Sequence, residues 1–245
     1  MRKSFWLATL LATALLSGTE AWADGDFFVV AGGGGVGTKI TSVPYVIIKP
    51  GFYYLGGNLA YSGTGDAISI QADNVILDLK GFSLTGAGKA ISSCGINPWS
   101  NNGTASNNVE IRNGTVSGFG AGVIGAAGSE RVNRIIAQNN TYGIWVANGN
   151  PSIEGCTCSN NDKGILVGNG WIASCIANNN TDWGINLNGP GSVVGCVANN
   201  NGTGFVLAAN GPTPMMVDQN SASGNGHNYN SGSNTNIAWG TNVGR

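Results

Sequence analysis

From Val109 onward the apolar positions keep a fixed beat against Gly, Asn and Ser. A glycine followed by an apolar residue recurs as Gly122-Val123, Gly143-Ile144, Gly164-Ile165, Gly184-Ile185 and Gly204-Phe205, with glycine spacings of 21, 21, 20 and 20. A second column, Ile111, Val132, Ile153, Ile172 and Val193, is spaced 21, 21, 19 and 21. Five residues after each comes Val116, Ala137, Cys158, Ala177 or Ala198; three after comes Gly114, Ile135, Cys156, Cys175 or Cys196. The register resumes at Val217, Asn220, Ala222 and Tyr229 after a longer loop through Pro212 and Pro214. Upstream, Leu79, Phe82 and Leu84 fit with longer steps and an insertion from Asn97 to Asn108. Alternating pairs such as Ile144 and Val146, or Ile165 and Val167, predict short strands with one inward face. A unit of two or three such strands cannot bury that face alone, but it can when stacked on its neighbours. The pattern therefore predicts an all-β, parallel β-helix solenoid of about eight coils of roughly 20 residues. The eight anchors are Ile68, Ile96, Val123, Ile144, Ile165, Ile185, Phe205 and Tyr229. Stacked Asn residues suit the turns, because Asn tolerates left-handed backbone angles and can hydrogen-bond from coil to coil.

Asn74-Val-Ile-Leu-Asp-Leu-Lys-Gly81, Ile111-Arg-Asn-Gly-Thr-Val116 and the repeated Cys-x-Ala-Asn-Asn-Asn steps resemble bacterial right-handed parallel β-helix repeat proteins of the pectate-lyase-like superfamily. The resemblance spans Tyr45 to Tyr229 and implies a single-stranded, right-handed helix. It implies little about activity, since that superfamily contains lyases, hydrolases, epimerases and non-catalytic surface proteins. The chain lacks the Trp-Ile-Asp-His, Asn-Thr-Asp, Gly-His-Gly and Asp-Pro-His-Asp signatures of its characterised enzymes.

Composition narrows the field. Of 245 residues, 41 are Gly and 32 are Asn, which disfavours a helical bundle. A net charge of −1 with 9% charged residues argues against a nucleic-acid partner, and 42% hydrophobic residues argue against a disordered chain. Arg2 and Lys3, the apolar run Phe5 to Leu16 and Ala21-Trp22-Ala23 read as a signal peptide over 1–23, cleaved before Asp24. No membrane span is expected in the mature protein, which would be periplasmic or secreted. Residues 24–42 read as an N-terminal cap or linker, 43–229 as the β-helix and 230–245 as a polar tail. The run Gly32 to Lys39 imitates a phosphate loop, but Thr38 stands where the lysine should be. Cys156, Cys175 and Cys196 share a column, so one disulfide between adjacent coils is conceivable, with a stack of buried thiols favoured. No metal site is expected. His227 reads as a turn residue.

Two stripes could carry chemistry. Before each Gly-apolar step stand Tyr142, Lys163, Trp183 and Thr203, preceded by Thr141, Asp162, Asp182 and Gly202. Stacking brings two aromatics, a cation and two carboxylates to one edge, with Trp145 projecting beside them. That composition suits a sugar: rings stack on pyranose faces and carboxylates accept from hydroxyls. A bland alternative is a decorated turn in which Lys163 neutralises Asp162 and Asp182. The second stripe holds Asp78, Lys80, Glu110, Arg112, Arg131 and Arg134. A lyase would take its base and a calcium site from such a set, whereas alternating acids and bases are equally explained by pairing between coils. The sequence favours an exported, non-catalytic binder of polysaccharide or surface glycan, needing no cofactor. The alternative is a polysaccharide lyase or glycoside hydrolase with atypical catalytic residues, and only a lyase would call for calcium.

Overall fold

A computed structural model describes residues 37–89, 93–99, 105–125, 128–208, 213–233 and 236–244. The expected signal peptide, its cleavage point and residues 24–36 of the expected cap lie outside them, as does the middle of the Asn97 to Asn108 insertion. Among the described residues there are only strands, turns and bends. They form two parallel sheets that wind around one core.

The nine-stranded sheet runs through Tyr45–Ile47, Gly65–Ile70, Ser93–Asn97, Ala121–Gly125, Tyr142–Val146, Lys163–Val167, Trp183–Leu187, Thr203–Leu207 and His227–Asn230. Each strand belongs to one coil, so there are nine coils. The one beyond the eight anchors is the first: Tyr45 pairs with Ile68. It has no Gly-apolar step and sits ahead of the regular period, which hid it from the repeat count. In the later coils the second sheet, sixteen-stranded, receives two strands per coil, for example Ser152–Glu154 and Thr157–Ser159. The parallel ladder also takes in Thr38–Ile40, paired with Gly51–Leu55, and Ile237–Trp239, paired with Met215–Asp218.

The register is the predicted one. Val123, Ile144, Ile165, Ile185, Phe205 and Tyr229 are successive partners. Ile144, Ile165, Ile185 and Phe205 are fully buried, as are Ile153, Ile172, Val193 and Val217 in the second sheet. Each such side chain contributes about 1.5–3 kcal/mol by leaving water. The glycine column is required by the stacking itself. A Cβ on Gly143 would lie 2.7 Å from the Gly164 carbonyl oxygen, and one on Gly184 would lie 2.8 Å from that of Gly204. Any side chain there would push the coils apart.

The Asn-Asn pairs divide two tasks between neighbours. The first residue of each pair turns the corner: Asn139, Asn160, Asn179 and Asn200 have φ of 56°, 57°, 56° and 56°. The second points inward and is buried: Asn140, Asn161, Asn180 and Asn201. Its Oδ1 accepts from the backbone N–H of the equivalent Asn one coil earlier, at 2.9 Å for Asn140 to Asn161 and 3.0 Å for Asn161 to Asn180. Its Nδ2 donates to a carbonyl of the earlier coil, Ala137 for Asn161 and Cys158 for Asn180. Buried peptide groups that the turn would orphan are thus satisfied.

The cysteine column works by the same logic. All five thiols are free. Cys156, Cys175 and Cys196 are buried, and their Sγ atoms donate to the carbonyls of Val132, Ile153 and Ile172 one coil earlier. The Cys175 N–H donates to Cys196 Sγ at 3.4 Å. One coil on, Asn220 takes over: its Oδ1 accepts from the Cys196 N–H at 2.8 Å and its Nδ2 donates to Val193. A hydrogen bond to Cys175, then burial, pushes the Cys196 thiol up; burial pushes Cys158 up.

Candidate functional site

The outward face of the nine-stranded sheet carries two side-chain columns. One runs Asp66, Cys94, Ala121, Tyr142, Lys163 and then Trp183, Thr203 and His227. The other contains Ile124, Trp145, Leu166, Asn186 and Val206. Both face outward because the glycine between Tyr142 and Ile144 interrupts strict alternation. All six residues of the first predicted stripe stand on this strip or at its edge; Asp182 lies one coil above Asp162 at the edge and is exposed.

Tyr142 and Trp145 stack with ring centroids 4.7 Å apart and planes at 27°. Lys163 Nζ lies 4.8 Å from the Tyr142 ring centroid and 5.0 Å from that of Trp183, one coil to either side. It also donates to the Tyr142 hydroxyl at 3.4 Å. Cation–π attraction fixes the ammonium between the two faces. Lys163 does not neutralise the acids beside it: Asp162 pairs instead with Lys89 at 2.6 Å. At the foot of the aromatic pair a cavity of about 180 Å³ is lined by Ser93, Cys94, Ile124, Thr141, Tyr142 and Trp145. Next to it, Asn97 Nδ2 donates to Asp66 Oδ2 at 2.9 Å. Burial raises the Asp66 carboxyl against the opposing pull of hydrogen bonds from Asn97 and Cys94. Burial and the neighbouring Asp66 push the Cys94 thiol up to about 12. Trp183 Nε1 and Asn186 Oδ1 are buried without a hydrogen-bond partner.

Sequence reasoning missed Lys89 and the trio Asp66, Cys94 and Asn97. All stand where coils are longer than the regular repeat, so the spacing could not be carried back to them. Asp66 and Cys94 share the column of Tyr142, which would have been the signal had the period held; Asn97 pairs with Ser69 and Lys89 lies between strands.

The second stripe lies on the other sheet. Buried Asp78 accepts from Arg112 Nε at 2.9 Å, from the Lys80 backbone N–H at 2.8 Å and from Asn113 Nδ2. Glu110 joins Arg112 at 3.2 Å and Arg131 at 3.7 Å. Lys80 sits 4.7 Å over the Tyr54 ring. Arg134 is exposed at a left-handed corner, φ 51°. Burial opposes the Arg112 charge, but Asp78 and Glu110 outweigh it and hold its pKa above the ordinary value. Both carboxylates are engaged across coils. Among the described residues no group of three His, Cys, Asp or Glu side chains could hold a metal ion. No described helix is long and apolar enough to cross a membrane.

Among solved structures, the chain is similar to the full-length tailspike protein 2 of Escherichia coli O157:H7 bacteriophage CAB120, at 16% identity and a TM-score of 0.37. That match covers 84% of this chain and 38% of the tailspike. It is also similar to the catalytic domain of a GH87 alpha-1,3-glucanase in complex with nigerose, at 13% identity and a TM-score of 0.32, covering 83% of this chain and 62% of that one. The chain thus spans less than two thirds of either. No curated protein matches. Residues 94–241, more than half of the chain, match the family described as right handed beta helix region, and the protein belongs to that family.

Proposed function

We propose that the outward face of the nine-stranded sheet binds polysaccharide or surface glycan without cleaving it, and that the chain is exported to do so. The observation that carries this reading is the aromatic strip: Trp145 stacked on Tyr142, and Lys163 held over the rings of both Tyr142 and Trp183. Aromatic faces pack against the apolar face of a sugar ring, and polar groups at the rim, here Thr141 and Asp182, meet its hydroxyls. The strip follows the solenoid axis, so a linear glycan would lie across successive coils. The acids and bases of the second stripe serve each other, which leaves no open carboxylate there to act as a base.

Retention on immobilised polysaccharides tests the reading. Wild type should be retained on at least one glycan, and Tyr142→Ala, Trp145→Ala and Trp183→Ala should each weaken retention about tenfold, with folding checked by circular dichroism. Incubation of the same glycans with and without calcium should release neither unsaturated uronate nor reducing ends. If the three variants are retained like wild type, the strip is not the binding face; product release would establish catalysis instead.

A further inference from the structure

Lys163 is the cation set among the aromatics Tyr142, Trp145 and Trp183 of the strip, with Asp162 and Asp182 at its edge. Its Nζ rests between two ring faces, and among the described residues no carboxylate lies within ion-pair distance of it. The acid nearest to it in sequence is its chain neighbour Asp162, whose carboxylate is engaged by Lys89, 73 residues earlier. Asp182, one coil above Asp162, is exposed and does not reach Lys163 either. A neutral sugar stacked on the rings needs no ammonium between them. A fixed ammonium with its side chain already ordered by two rings offers an anionic group a partner at little further entropic cost.

Resting on the reading that this face binds glycan, we infer that Lys163 selects polysaccharides bearing an anionic group on the sugar over neutral ones. Lys89 is a positioning residue for that selectivity: it holds the Asp162 carboxylate away from Lys163. Removing Lys89 frees Asp162 to turn to Lys163 and cancel its charge, although Lys89 itself touches no ligand.

Matched probes isolate the charge. Polygalacturonate and its fully methyl-esterified form share a backbone and differ in the carboxylate; dextran sulfate and dextran do the same for sulfate. Wild type should prefer an acidic probe over its neutral partner by about tenfold, and the preference should shrink with added salt. The pair showing the larger preference identifies carboxylate or sulfate as the group read. Lys163→Gln should equalise the acidic and neutral probes, and Lys163→Arg should keep the preference. Lys89→Ala should reduce the preference, and Lys89→Ala with Asp162→Asn should restore it. A merely structural role for Lys89 would not be rescued that way.

Equal retention of acidic and neutral probes by wild type overturns the selectivity, as does a preference that survives Lys163→Gln. If, in that case, Tyr142→Ala and Trp183→Ala still weaken retention, the glycan reading stands without it. If the wild type retains none of the four probes, the selectivity falls, and the glycan reading stands only if another polysaccharide is retained and Tyr142→Ala weakens that retention. A Lys89→Ala loss that Asp162→Asn does not rescue overturns the positioning role.

Discussion

Asn161→Ala tests the claim that the inward Asn of each pair, not the corner Asn, holds the coils together. Four hydrogen bonds disappear. Asn161 Oδ1 no longer accepts from the Asn140 N–H at 2.9 Å or from Asn140 Nδ2 at 3.2 Å, and Asn161 Nδ2 no longer donates to Ala137 O at 3.0 Å or to Asn180 Oδ1 at 3.2 Å. Two of the partners retain another bond: Asn140 Nδ2 still reaches Val116 O, and Asn180 Oδ1 still accepts from the Asn161 N–H. The Asn140 N–H and the Ala137 carbonyl are the groups put at risk, in a region where Asn140 and Asn161 are 0% and 1% exposed. Each buried group left unpaired costs about 1–3 kcal/mol, so the substitution should cost roughly 2–6 kcal/mol. That is a large share of a typical domain's stability of about 5–15 kcal/mol. Asn160→Gly, at the exposed corner with φ 57°, should change stability by less than about 0.5 kcal/mol, because Gly accepts that angle freely. Urea unfolding with free fitting of midpoint and slope reads both, and exchange of the Asn140 amide should accelerate in Asn161→Ala. Should Asn161→Ala prove too unstable to purify, Asn225→Ala at the half-buried end of the same ladder gives a milder version. The reasoning fails if Asn161→Ala costs under about 1 kcal/mol, or if Asn160→Gly costs as much.

Asp78→Ala should lower stability by about 2–4 kcal/mol, since it strands a half-buried Arg112 and the Asn113 amide, while leaving glycan retention unchanged; loss of retention without loss of stability would give the second stripe a binding role. In the native protein Cys156, Cys158, Cys175 and Cys196 should resist alkylation at pH 8, and unfolding under denaturant should expose five alkylatable thiols; a missing pair after unfolding would reveal a disulfide. For Asp66, burial raises the folded-state pKa, so the folded protein holds the proton more tightly than the unfolded chain. Its contribution to stability is full below the ordinary aspartate value of about 4 and is lost as pH rises through the raised folded value. Asp66→Asn should therefore melt above wild type at pH 7, with the gap closing in acid. A gap of the opposite sign would mean that the Asn97 and Cys94 hydrogen bonds outweigh burial.

The coil stacking was legible because three independent columns shared one period, and each has a separate physical cause. Glycine is demanded by backbone approach at Gly143, branched aliphatics by the core at Ile144 and Ile153, and Asn by the turns. The split between corner and ladder Asn was not legible, because both residues of a pair are the same amino acid and only φ and burial separate them. The first coil was hidden for the opposite reason: Tyr45–Ile47 has the right register but lacks the glycine marker. In the aromatic strip, the membership of Tyr142, Lys163 and Trp183 followed from spacing alone. The partner of Asp162 did not, because Lys89 belongs to a coil whose length departs from the period.

That contrast has a general cause in the geometry of a solenoid. Within the regular coils, a residue's neighbours along the axis are fixed by adding one period, so any stripe of like chemistry is also a contiguous surface. Where a coil carries an insertion, the extra residues leave the lattice and can reach over several coils, as the Lys89 contact with Asp162 does. The regular coils thus supply the repeated aromatic strip, and an irregular one supplies the individual charge, Lys89, that engages Asp162 beside it. On the proposed reading, a glycan running along the axis would meet the aromatics and Lys163 of the regular coils, and the irregular coil would act only through Lys89, by keeping Asp162 from Lys163.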